Sequence, residues 1–172
     1  MKKFAFLAVL VLFSLSAKAF DTTVLQIGVW PSTFQVVPDE INVSGLKLNL
    51  PFARNDDVCG LDLGFASSTK KASAVQLNLV INRNHDEYSG LQMGLINQNG
   101  NANGIILGLW NVADDKTHGL ELGLVNSSTE YKGLQVGLIN YTEMMSGVQI
   151  GLVNIITESI VPVFPIINFC FK

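Results

Sequence analysis

The sequence predicts an all-β protein in which one short unit is copied along the chain. Three observations predict it. A glycine-led motif recurs with starts 14 to 16 residues apart, apolar and other residues alternate within each copy, and segments rich in Asn, Asp, Gly and Ser separate the copies. Alternation at period two gives a strand with two unlike faces. A helical period of 3.6 would scatter the leucines around the cylinder, and each interior glycine would cost about 1 kcal/mol.

The elements follow in chain order. Residues 1–19 read as a cleaved secretory signal peptide: Met1-Lys2-Lys3, the apolar run Phe4 to Leu15, then the small-x-small site Ala17-Lys18-Ala19. The apolar run is too short to cross a bilayer core of roughly 30 Å as a helix. The chain is therefore expected to be exported, with cleavage after Ala19. Residues 20–44 form an N-terminal strand and connection, in which Leu25-Gln26-Ile27-Gly28 is a weak match to the motif.

Residues 45–172 form the β-repeat domain. Five copies are nearly the same, starting at Gly90, Gly104, Gly119, Gly133 and Gly147 and ending at Asn97, Asn111, Asn126, Asn140 and Asn154. Looser copies start at Gly45, Gly60 and Ala74, and a terminal copy runs from Val161 to Asn168. The first, third and fifth residues after the leading position are apolar in 26 of 27 cases, so one face of every strand is greasy. The second is Lys47, Asp62, Gln76, Gln92, Ile106, Glu121, Gln135, Gln149 and Val163, polar in seven of nine, and shares its face with the glycines. Glycines recurring in register imply that the sheet curves sharply toward that face or that something approaches it closely.

Two architectures satisfy this pattern. An antiparallel meander closing into a small up-and-down barrel of about 8–10 strands would turn the leucines to lipid, because eight or nine residues span about the ~25 Å apolar band of an outer-membrane barrel. The glycine and glutamine face would then line a narrow lumen. Repeat starts from Gly45 to Gly133, spaced 15, 14, 16, 14, 15 and 14, alternate as a meander with two different ends would, and favour this reading. The alternative is a parallel β-solenoid with one 14–16-residue repeat per coil. There the leucines would stack in a dry interior, glutamines would face water, and the asparagines at 97, 111, 126, 140, 154 and 168 would form a corner ladder, provided that each strand bends at its middle glycine.

The run Gly133-Leu134-Gln135-Val136-Gly137-Leu138-Ile139-Asn140, with the closing Val163-Phe164-Pro165-Ile166-Ile167-Asn168-Phe169, resembles the bacterial cell-surface repeat family built on Gly-Leu-Gln-x-Gly-Leu-x-Asn units. The resemblance covers about residues 45 to 171. It implies an envelope or surface-exposed protein and carries no catalytic residues over. Copies with Asn49 and Asn78 in place of the middle glycine depart from the pattern.

Composition and side-chain chemistry point away from several functions. Cleavage would remove Lys2, Lys3 and Lys18 and leave 8 basic against 14 acidic residues, a formal charge near −6, which disfavours nucleic acid as a partner. His85 and His118 lie in turn segments without metal-ligand spacing. The pairs Asp56-Asp57 and Asp114-Asp115 lack the EF-hand pattern, and the glycines are inside strands rather than at a strand-to-helix turn that would cradle phosphate. Cys59 and Cys170 leave two alternatives open, one bridge in an oxidising compartment or two separate thiols. No catalytic, cofactor or metal residues are therefore expected. The expected protein is a non-enzymatic outer-membrane or surface structural or interaction protein with outer-membrane lipid as its partner and an unidentified ligand at the turns. A soluble periplasmic or secreted β-solenoid binding module is the alternative.

Overall fold

The computed structural model describes residues 21–29 and 34–171; the expected signal peptide lies outside them. Eight strands make one sheet: β1 (Thr22–Val29), β2 (Phe34–Gln35), β3 (Asn42–Met93), β4 (Ile96–Leu107), β5 (Trp110–Leu122), β6 (Val125–Val136), β7 (Ile139–Ile156) and β8 (Val163–Cys170). Their order across the sheet is β2-β1-β3-β4-β5-β6-β7-β8. Pairing from β1 through β7 is parallel, and the register places each repeat on the one before it: Gly90 on Gly104, Gly104 on Gly119, Gly119 on Gly133 and Gly133 on Gly147. β3 is long because it winds through several coils without a break. The close approach of Gly60 to the carbonyl of Gly45, and of Gly90 to that of Ala74, marks its stacking.

This is the parallel solenoid, and the barrel is overturned. An up-and-down barrel needs antiparallel neighbours, whereas five successive pairings here run parallel. The alternating repeat lengths have another cause. Extra residues are absorbed as irregularities between Asn84 and Glu87, Asn99 and Ala102, and Ala113 and Lys116, all at one corner of the coil, so a longer repeat bulges there and recovers its register. The bend at the middle glycine is present, with bends at Gly94-Leu95, Gly108-Leu109, Gly123-Leu124 and Gly137-Leu138.

The second correction concerns which face is inside. The leucines do not fill a dry interior, and the glutamines do not face water. Gln26, Gln76, Gln92, Gln135 and Gln149 are fully buried, as are Asn82, Asn97, Asn111, Asn126, Asn140 and Asn154, while Leu109, Leu124, Leu138 and Leu152 are about half exposed or more. A coil closed by so few residues must curve tightly, and side chains on the concave side converge. The face bearing the glycines is the one that can be concave, and it brings the amides inside with it. A narrow apolar column, Tyr88, Ala102, Tyr131 and Met145 among its members, completes the interior opposite the glutamines.

Both ends close with an antiparallel strand. At the N-terminal end β2 folds back on β1, and Val37, 1% exposed, is held over the opening by a reciprocal pair of hydrogen bonds with the Gln26 amide, 3.1 and 3.0 Å. At the other end the expected terminal copy of the repeat is not another coil. β8 turns round and runs antiparallel to β7, so Asn168 pairs with Gln149 rather than with Asn154, and it leaves the asparagine ladder. Ile166, after Pro165, takes a left-handed backbone at φ 71°, next to the register break between Gly151 and Asn154.

Candidate functional site

The interior is a stack of hydrogen-bonded amides. Each ladder asparagine donates one amide hydrogen to the Oδ1 of the next: Asn82 to Asn97, Asn97 to Asn111, Asn111 to Asn126, Asn126 to Asn140 and Asn140 to Asn154, at 2.8 to 2.9 Å. The other hydrogen goes to a main-chain carbonyl of the following coil, for example Asn97 to Leu107 and Asn111 to Leu122. One fully buried side chain thus satisfies two acceptors, and it ties the corner of one coil to the next. Glycine at the bend is required by this ladder. A Cβ on Gly108 would lie 2.5 Å from Asn97 Nδ2 and 2.7 Å from Asn111 Oδ1. At the leading position the reason is backbone: Gly119 has φ +129°, and a Cβ there would lie 2.0 Å from the Gly104 carbonyl oxygen.

Three ionisable side chains occupy the glutamine column, which the sequence placed in a barrel lumen or, in the solenoid alternative, facing water. Lys47 and Asp62 are both 0% exposed, with Nζ to Oδ2 at 3.8 Å. Ser67 bridges them, accepting from Lys47 Nζ at 2.9 Å and donating to Asp62 Oδ2 at 2.6 Å. Gln76, Asn78 and Asn49 also donate to the carboxylate, so the two asparagines that depart from the repeat pattern are the ones that solvate this ion. Burial pushes the Lys47 ammonium down to about 8, against the pull of Asp62 and of Asp39. Glu121 sits between the apolar rung Ile106 and Gln135. Its Oε2 accepts from Gln135 at 2.9 Å and its Oε1 has no partner, and burial raises its carboxyl to about 8 despite that hydrogen bond. The signal that could have found these groups is their position: residues sharing a face with recurrent glycines lie on the concave side.

The other singled-out residues do not converge. His85 is exposed, with Nε2 3.3 Å from Ser68 Oγ, and His118 is exposed on a different coil. Asp56 pairs with Lys70 at 2.7 Å, and Asp57, Asp114 and Asp115 face solvent. Among the described residues no group of three or more His, Cys, Asp or Glu is arranged to hold a metal ion. Cys59 and Cys170 are free thiols; Cys59 lies in β3, and Cys170 ends β8 at the far end of the sheet.

What does converge is the outside of the coils. Register aligns Leu91, Ile105, Leu120, Leu134, Val148 and Phe169 in one column, and Met93, Leu107, Leu122, Val136, Ile150 and Ile167 in a second. β8, although reversed, adds the last rung to both. At the other end Leu25 pairs with Leu46 and Ile27 with Leu48, and the windings of β3 carry Leu61, Val75, Leu63 and Leu77 at the matching positions. Beyond the bend stand Leu95, Leu109, Leu124, Leu138 and Leu152. A groove of about 520 Å³ runs along this flank, with Gly94 and Gly108 in its floor and Leu77, Met93, Leu107, Leu79, Leu95 and Leu109 on its banks. Fifteen of these aliphatic side chains are exposed, from Leu61 at 37% to Leu152 at 67%, and the others are partly buried; together they leave on the order of 1,500 Å² of apolar surface, where a monomer usually shows patches of at most ~600 Å².

The charged residues gather half a coil away. Asp114, Asp115, Glu130 and Glu143 share that corner with Lys116, which pairs with Glu130 at 2.9 Å, and Lys71 pairs with Glu87 at 3.5 Å nearer the N-terminal end. A second groove, about 490 Å³, is lined there by Thr22, Asp57, Cys59, Lys71 and Glu87. The solenoid is therefore amphipathic on its outside as well as inverted within. No family model, curated protein or solved structure matches the chain.

Proposed function

We propose that this protein is an exported β-solenoid interaction module that works by contact and not by catalysis, and that its apolar flank is the contact surface. The observation that carries this reading is the flank itself: two columns without a polar residue, continued by β8, on the outside of a coil whose interior is already filled by amides. Side chains that water would not retain there are kept in every rung, and their burial against something else would contribute about 25 cal/mol per Å². Sequestration of Lys47, Asp62 and Glu121 at 0 to 1% exposure, where no substrate reaches them, supports a role without chemistry. The signal-peptide pattern and the resemblance to surface repeats support export to the cell envelope.

The test replaces the column beyond the bend. Leu95→Lys, Leu109→Lys and Leu124→Lys together are expected to leave the β-type circular dichroism and the melting temperature nearly unchanged, and to lower the mass of the complex in which the protein elutes on size exclusion. Unfolding of the triple variant would mean that the flank is core and would reject the reading.

A further inference from the structure

The partner of the apolar flank follows from its spacing, extent and charge, and this step rests on the contact reading above. We infer that the flank is covered by the flank of a second copy of this chain, giving a face-to-face homodimer with two apolar sheets packed about 10 Å apart.

Spacing is the first argument. The columns repeat at the strand separation of about 4.8 Å over ten rungs, so the strip is about 43 Å long. Leucine rows on a second copy have the same separation and can seat between them at every rung. An unrelated globular surface has no such periodicity.

Extent is the second. Covering half of the ~1,500 Å² strip on each of two copies buries about 1,500 Å² in total, close to the ~1,600 Å² of a stable interface.

Charge is the third, and it separates a copy from a lipid surface. The chain has a formal charge of −3. Its flank carries no ionisable group, and its carboxylates Asp114, Asp115, Glu130 and Glu143 stand at the opposite corner, so two copies meeting flank to flank keep their like charges apart. An anionic membrane would call for a basic rim. The residues that precede the leading glycines on the rim are Ser89, Asn103, His118, Lys132 and Ser146, with one lysine among them.

The experiment is the mass of the full chain in detergent-free buffer at 5 to about 50 μM, a range bracketing μM dissociation constants, by light scattering behind size exclusion, for wild type, Leu107→Lys/Leu122→Lys and the opposite-corner control Glu143→Lys. Expected is twice the chain mass for wild type and control, and one chain mass for the double lysine variant with its circular dichroism retained. Leu122→Gln, a milder change, is expected to weaken the dimer and shift its mass toward one chain at the lowest concentration. A monomeric wild type, or a dimer whose mass neither variant lowers, overturns the inference. A monomeric wild type that floats with vesicles of phosphatidylethanolamine and phosphatidylglycerol overturns the second copy as partner and leaves the contact surface standing. A monomer that neither floats nor pairs removes both.

Discussion

Glu121 is the residue whose chemistry is most at odds with its surroundings. Five other members of its column are glutamines, and a glutamine offers a donor and an acceptor to the rungs on either side. Glu121 matches that role only when protonated, and with its carboxyl raised to about 8 it is largely so at neutral pH. The linkage follows: between the ordinary carboxylate value and about 8 the unfolded chain releases a proton that the folded chain keeps, so this group's contribution to stability is full at low pH and is lost as pH rises through that window. Glu121→Gln is therefore expected to raise the melting temperature more at pH 8 than at pH 5, with a difference of ~2–4 kcal/mol in unfolding free energy. Equal effects at the two pH values would show that the carboxyl is ionised in the fold. Lys47 and Asp62 represent the other solution for a charge in this column, a pair whose remaining valences are met by Ser67, Gln76, Asn49 and Asn78. In the sequence these three residues look like water-facing charges, because alternation reveals two faces without saying which one is concave.

At the scale of the element, the bend glycine and the ladder asparagine act as one device. Gly108 leaves the space that Asn97 and Asn111 fill, and Asn111 in turn donates to Asn126 and to the Leu122 carbonyl. Asn111→Ala removes both donations and strands the amide hydrogen that Asn97 had given it, so a loss of about 2–4 kcal/mol in chemical denaturation is expected. Gly108→Ala, which pushes a methyl into the same ladder, should cost a similar amount. The double variant should cost less than the sum of the two singles, because the space vacated by Asn111 receives the methyl. Strict additivity would separate the two positions. The recurrence of Gly and Asn at fixed places was legible in the sequence. Their mutual dependence was not, because it runs between rungs that lie 14 or 15 residues apart.

For the whole molecule, the energetic unit is the coil. Each strand from β4 to β7 pairs only with its sequence neighbours, so stability is close to a sum of coil terms and coil-to-coil interfaces. Deleting residues 119–132 removes one complete repeat and sets the rung of Gly104 directly under that of Gly133, with the asparagine ladder closing from Asn111 to Asn140. This shortened chain is expected to keep its β-type circular dichroism and its resistance to limited proteolysis. Deleting seven residues, half a coil, should abolish both, since it puts every inward side chain outside for one rung. Tolerance of the half-coil deletion would show that the coils do not specify one another.

By itself the sequence determined the strand, the period, the two unlike faces and the absence of a helical alternative, because each is a local property of backbone sterics and of alternation. It also held the clue to curvature in the glycines that share a face with the amides. Only the tertiary structure decided that neighbouring rungs run parallel, that the last repeat turns back as β8, and that leucine lies outside while amide and charge lie within. Those choices depend on what a rung meets on the next turn of the coil. There a buried asparagine finds its donor and acceptor in another asparagine, and a leucine column finds nothing among the described residues to cover it.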